Sequence, residues 1–198
     1  MRAIIACEES QTVCKAFRKK GWEAWSCDTQ DCSGGYPEWH LKGDVFTFLD
    51  KGWDLMIAHP PCTYLCNSGV SWLHKDESRW GKMRLGANFF KRLLEYEIPH
   101  LAVENPIMHK YAVEIIGRRQ DQIVQPWQFG HGETKATGFW LRGLPKLEPT
   151  NIVAGREQRL HKLPPSKDRA KLRSKTFPGI AEAMAEQWGS YAEMADLL

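Results

Sequence analysis

Cys62 follows His59-Pro60-Pro61, and the two prolines define its surroundings. Each proline locks its own φ and restricts the residue before it, so the backbone there is extended and stiff. A cysteine on such a turn projects into a cleft and does not retreat into the core. Its thiolate is a nucleophile whose reactivity follows its local pKa. Further along, Glu104-Asn105-Pro106 supplies a carboxylate behind the apolar Val103. A glutamate in apolar company can have a raised pKa and act as a proton donor. Asp28 and Asp44, the latter in Lys42-Gly43-Asp44-Val45-Phe46, are acids of the kind that accept hydrogen bonds from ribose hydroxyls or an adenine amine at strand ends. Read individually, each is equally well a turn-capping aspartate.

These residues need a frame that brings them together. Residues 2–7 are short, apolar and isoleucine-rich, which predicts a first strand. Ser10 is then placed to cap a helix carrying Val13, Cys14 and Phe17, with Gly21 at its C-terminal end. Residues 23–28 predict a second strand, 44–49 a short strand or turn, and 54–58 a buried strand stopped by His59-Pro60-Pro61. Helical periodicity runs over 79–96 through Leu85, Phe89, Leu93 and Leu94. Residues 100–104 predict another strand, 107–117 a helix, 122–129 and 138–142 a late pair of strands, and 180–188 a C-terminal helix behind Pro178-Gly179. Alternating strands and helices predict an α/β fold, a Rossmann-like, mostly parallel sheet with helices on both faces. Ligands of such sheets bind outside the carboxyl ends of the strands, where Glu8, Glu9, Asp28, Cys62 and Glu104 all fall.

Composition removes other classes. The chain has 198 residues, 42% hydrophobic and 26% charged, which fits one globular domain and excludes disorder, collagen and coiled coil as whole-chain descriptions. No apolar run is long enough for a membrane span, and the apolar N-terminal stretch is too short for a signal peptide. A cytoplasmic protein with reduced thiols is expected. The six cysteines, at 7, 14, 27, 32, 62 and 66, lack the spacing of a zinc ribbon, so no metal is expected. Net charge is only +3, but between residues 155 and 175 eight cations face only Glu157 and Asp168. Such a segment suits a phosphate backbone, and equally a solvated loop.

In their order along the chain these pieces resemble the DNA cytosine-C5 methyltransferase family. His59-Pro60-Pro61-Cys62 resembles its catalytic Pro-Pro-Cys motif, Glu104-Asn105-Pro106 its Glu-Asn-Val motif, and Phe177-Pro178-Gly179-Ile180-Ala181-Glu182-Ala183 its last motif. Asp28 and Gly43-Asp44 fall where that family places its cofactor-binding acids. The resemblance spans most of residues 3 to 188. Three features depart from it. Ala6-Cys7-Glu8-Glu9-Ser10 stands in place of a glycine-rich first loop, no Gln-x-Arg-x-Arg strand is recognisable, and there is no room for a large target-recognition region beyond 122–175.

The resemblance implies a small, phage-like, single-domain class I methyltransferase that uses S-adenosylmethionine on DNA. Cys62 would attack cytosine C6, and Glu104 would hold the base edge and offset the charge that attack generates. Cys7, Glu8, Glu9, Asp28, Asp44 and Pro60 would line the cofactor. Pro61, Asn105 and Pro106 would touch the substrate, with Lys135 or Arg142 as the missing cation. A base in duplex DNA must be flipped out to reach such a pocket. Trp72, Trp80 and Trp127 are candidates to stack on it, and 155–175 would hold phosphates. Three alternatives stay open: methylation of cytosine in RNA or a free nucleotide, methylation of an exocyclic amine, and DNA binding by a decayed methyltransferase fold without catalysis.

Overall fold

Strand β1 (Arg2–Ala6) runs parallel to β2 (Glu23–Asp28) on one side and to β4 (Leu55–Ala58) on the other. The computed structural model describes residues 1–197, and its centre is a seven-stranded sheet in the order β3-β2-β1-β4-β5-β7-β6. The remaining strands are β3 (His40–Lys42), β5 (His100–Pro106), β6 (Gln122–Val124) and β7 (Thr137–Arg142). Only β7 runs against the others, pairing antiparallel with both β5 and β6. The chain is therefore an α/β protein with a mostly parallel sheet. The order reverses between β1 and β4, which places a ligand crevice at their carboxyl ends.

Alternation along the central strands builds two cores. Ala3, Ile5, Leu55 and Ile57 face one side, where helix α1 (Thr12–Lys19) packs through Val13, Cys14 and Phe17. Ile4, Ala6, Met56 and Ala58 face the other, against α2 (Ser78–Glu95) and α3 (Lys110–Ile116). Short basic helices α4 (Arg159–Lys162) and α5 (Arg169–Ser174) precede the C-terminal helical run of α6 (Pro178–Ala183), a π-helical turn at Met184–Trp188, and α7 (Gly189–Ala195). That run returns to α1's face through Ile180, Ala181, Met184 and Trp188. Gly179 allows the close approach at its start. Its N–H donates to His131 Nε2 at 3.0 Å, and a Cβ there would collide with the Phe129 carbonyl. No described helix is long and apolar enough to cross a membrane.

Several local expectations need correction. Ser10 does not cap α1. Gln11 takes the cap position in the left-handed region without a side-chain bond, and the Glu8 carboxylate accepts from Val13 N (2.7 Å) and Cys14 N (3.2 Å) instead. The third strand, not expected from the sequence, is His40–Lys42, and of the two readings for 44–49 the turn holds, as a 3-10 turn at 45–47. The strand expected over 122–129 stops at Val124, before Pro126.

Arg142 is not a site cation. It pairs in register with Leu101 at the start of β5, so it lies at the sheet edge opposite the site. Its guanidinium donates to the carbonyls of Leu94, Tyr96 and Ile98 and ties the end of α2 to the sheet. Arg142→Ala should therefore cost about 1–3 kcal/mol in urea unfolding, the range for leaving buried acceptors unpaired, with Cys62 thiol reactivity unchanged. Unchanged stability with altered reactivity would contradict this placement.

Candidate active site

The backbone dictates where the reactive groups stand. β4 ends at Ala58, and His59 continues its ladder by donating its N–H to the Ala6 carbonyl at 2.9 Å. Pro60 and Pro61 then end pairing, and the Cys62 carbonyl accepts from Leu65 N (2.9 Å) and Cys66 N (3.1 Å), closing a tight turn. The turn is fastened to the neighbouring strand end. Asn105 Nδ2 donates to the Pro60 carbonyl at 3.0 Å, His109 N to Leu65 O at 3.0 Å, and Asn67 N to Ile107 O at 2.8 Å. His109 Nε2 lies 2.8 Å from the Tyr64 carbonyl. Cys62 and Glu104 thus sit near the adjacent carboxyl ends of β4 and β5.

Glu104 is nearly enclosed, with 12% of its side chain exposed, and its Oε2 lies 3.1 Å from His59 Nδ1. Burial alone would raise its pKa. The His59 hydrogen bond and the charges of His59 and Lys135 outweigh burial and hold it below the usual glutamate value. The carboxylate form is therefore the resting one, and a raised-pKa proton donor is not what this environment makes. Lys135 is the cation at hand. It lines a narrow cleft with Glu104, Thr137, Phe139, Thr176 and Phe177. Its ammonium donates to the Lys175 carbonyl at 3.2 Å.

Cys62 differs in kind from the core cysteines. The Cys66 thiol hydrogen-bonded to it, opposed by burial and the Glu104 charge and helped by Lys135, draws its pKa down to about 7. The same bond, with burial, pushes Cys66 far up. Burial pushes Cys14 and Cys27 up to about 12, which makes them inert packing groups.

The crevice side of the site is built by β1, β2 and β3. No glycine occupies the loop after β1, yet Cys7 and Gln11 both adopt φ 57, the left-handed conformation that glycine takes without cost. Holding two ordinary residues there costs of order 1 kcal/mol each, and such strain clusters at functional sites. Burial, the Asp28 charge, Cys27 and Asp44 together push the Cys7 thiol far up. Asp28 Oδ1 accepts from Gln30 N at 2.9 Å, and Asp44 Oδ1 accepts from Phe46 N at 3.0 Å. Each carboxylate closes its own turn with one oxygen. Glu8 is committed to α1. It is buried, and burial raises its pKa despite nearby His59 and the two backbone donors. Glu9 is 8% exposed. Its Oε2 has no hydrogen-bond partner and lies 3.6 Å from Lys171 Nζ on α5.

The other named residues divide. Pro60 is buried beneath the turn, Pro61 is exposed, and Pro106 pairs with Thr137 at the end of β5. Asn105 Oδ1 is buried without a partner. Trp72 is 54% exposed, Trp80 packs edge-on against Tyr111, and Trp127 lies beneath the Arg156 guanidinium at 3.8 Å. Trp72 is thus the most exposed of the three, with Lys75 Nζ 5.0 Å from its ring centroid. Sequence reasoning named His59 only as part of a motif. Its signal was its position, one residue past a buried strand and on the same edge as Glu104. Lys171 gave no individual signal inside a basic run. Among the described residues no three His, Cys, Asp or Glu side chains converge to hold a metal.

The thiolate fraction of Cys62 should rise with pH around a midpoint near 7, read as its rate of alkylation by iodoacetamide, while Cys14 and Cys27 stay unreactive. Cys66→Ala removes the largest lowering influence, so the midpoint should move up toward the ordinary thiol value of about 8.5 or beyond it. A midpoint that stays put would contradict the assignment of Cys66. No protein-family model matches the chain, and no curated protein shows significant sequence similarity to it.

Proposed function

We propose that the chain is a Rossmann-like methyltransferase that acts at C5 of cytosine in DNA, with Cys62 as nucleophile. The observation that carries this reading is the pairing of Cys62 and Glu104 at the ends of adjacent strands, with Lys135 lining one cleft with Glu104. Cytosine C5 is a poor nucleophile until C6 is attacked. A Cys62 thiolate at neutral pH is available for that attack. The Glu104 carboxylate, held and oriented by His59, accepts from the base's exocyclic amine. Thiolate attack leaves one negative charge on the ring; a proton taken up from solvent at N3 neutralises it and gives the carboxylate a second donor. Lys135 balances the charge of the thiolate and carboxylate in one site.

The fit to S-adenosylmethionine is uneven but sufficient. The N–H groups at the start of α1, which would suit the cofactor's carboxylate, are occupied by Glu8. Glu9 Oε2, buried without a hydrogen-bond partner, suits an ammonium, and Lys171 beside it suits the carboxylate. Asp28 and Asp44 at adjacent strand ends suit ribose hydroxyls and an adenine amine. The bound cofactor would supply an electrophilic methyl group. Lys171 of α5 lies beside Glu9, and in this reading the basic segment around it holds DNA phosphates.

The test is methyl transfer from labelled S-adenosylmethionine to mixed-sequence duplex DNA, with base analysis of the product. Wild type should yield 5-methylcytosine, Cys62→Ala none, and Glu104→Gln about 10²–10³-fold less, the range for losing one charge-stabilising contact. Label on an exocyclic amine would overturn the proposed reacting atom. Thermal stabilisation by S-adenosylmethionine without any label would overturn the DNA substrate, and no stabilisation would favour DNA binding without catalysis.

A further inference from the structure

Cys62 has a chemical partner that forms no bond in the cytosine reaction. Cys66 lies one turn away, and its N–H donates to the Cys62 carbonyl at 3.1 Å. That i to i+4 closure sets the two Cα atoms roughly 6 Å apart, inside the span a disulfide bridges, about 4.4–6.8 Å. Each thiol perturbs the other's titration, so the two are neighbours across the turn. The turn is held in this shape from outside. Asn105, His109 and Ile107 bond to it at positions 60, 65 and 67, and Cys66 itself forms a β-bridge with Met108. Neither residue is fully buried, in contrast to Cys14 and Cys27.

We propose that Cys62 and Cys66 form a redox-active dithiol, which a peroxide converts to an intramolecular disulfide that withdraws the Cys62 sulfur from the site. The Cys62 thiolate attacks the O–O bond of hydrogen peroxide, and its sulfur becomes a sulfenic acid while hydroxide leaves and takes up a proton. The Cys66 sulfur then displaces the hydroxyl from Cys62. Its own proton departs with that hydroxyl as water, so two thiols and one peroxide become one disulfide and two waters. A low Cys62 pKa beside a protonated Cys66 matches the roles of attacking and resolving cysteine. Formation of the bond stands on the turn geometry alone. Its consequence, loss of the nucleophile, rests on the function proposed above.

The experiment uses the wild-type protein without nucleic acid. It is treated with one equivalent of hydrogen peroxide, quenched, alkylated and digested. The expected product is a single peptide carrying Cys62 and Cys66, lighter by two hydrogens than the reduced form and restored by dithiothreitol, with the other cysteines still alkylated. In Cys66→Ser the Cys62 sulfenic acid should persist and be trapped by dimedone. A first disulfide involving any other pair, or a sulfenic acid on Cys62 that persists in the wild type, would overturn the proposal. Because the readout is mass, the disulfide stands if methyl transfer fails. Methyl transfer without the disulfide would sink this proposal alone.

Discussion

A carboxylate enclosed by protein keeps its charge only when something replaces the water it has lost. For Glu104 that replacement is His59, 3.1 Å away, with Lys135 behind it. The arrangement depends on register. β4 and β5 pair so that Ala58 stands opposite Val103, which puts His59 and Glu104 in the next positions of adjacent parallel strands. A one-residue slip would turn both side chains toward opposite faces. Asn105 repeats the same linkage one residue on, reaching Pro60 across the strand ends. The proline turn, the thiol and the carboxylate are therefore one rigid unit, organised by a single pair of strands.

The side of the crevice after β1 follows a different logic. Its loop has no glycine, yet Cys7 and Gln11 hold left-handed backbone. Glu8 folds back onto the start of α1 and uses the donors that an external anion would take in a nucleotide-binding sheet. Gln11 reaches in turn to both backbone polar groups of Tyr36, which fastens the 29–36 loop over α1. What remains open to a ligand is a set of acceptors, Glu9, Asp28 and Asp44, with one cation from α5. Such a set favours a partner with an ammonium and several hydroxyl and amine donors over a polyphosphate.

Much of this was legible in the sequence because strand ends announce themselves. Pro60 stops its strand, whereas β5 runs on through Asn105 to Pro106, two residues past the expected end, because β7 pairs with it there; the apolar runs before both fix which residue comes first into the crevice. The two-sided cores were legible as unbroken apolar strands flanked by periodic helices. The contacts that decide chemistry were not. Glu8 and Glu9 are neighbours of one residue type, and only the fold shows that one caps a helix while the other faces Lys171. Arg142 and Lys135 were equal candidates, separated only because β7 runs antiparallel and carries them to opposite edges. Glu104 was expected to carry a raised pKa from its apolar neighbours in sequence, but His59, distant in sequence, reverses the sign.

The central claim is that the Cys62 sulfur bonds to a cytosine ring. The most direct measurement uses duplex DNA carrying 5-fluorocytosine, incubated with the protein and S-adenosylmethionine, because fluorine at C5 cannot leave as a proton does and the covalent species is held. The account predicts a protein–DNA adduct that survives denaturation, maps to the peptide containing Cys62 and is missing in Cys62→Ala. An adduct on another residue, or methylated DNA with no adduct at all, would contradict it.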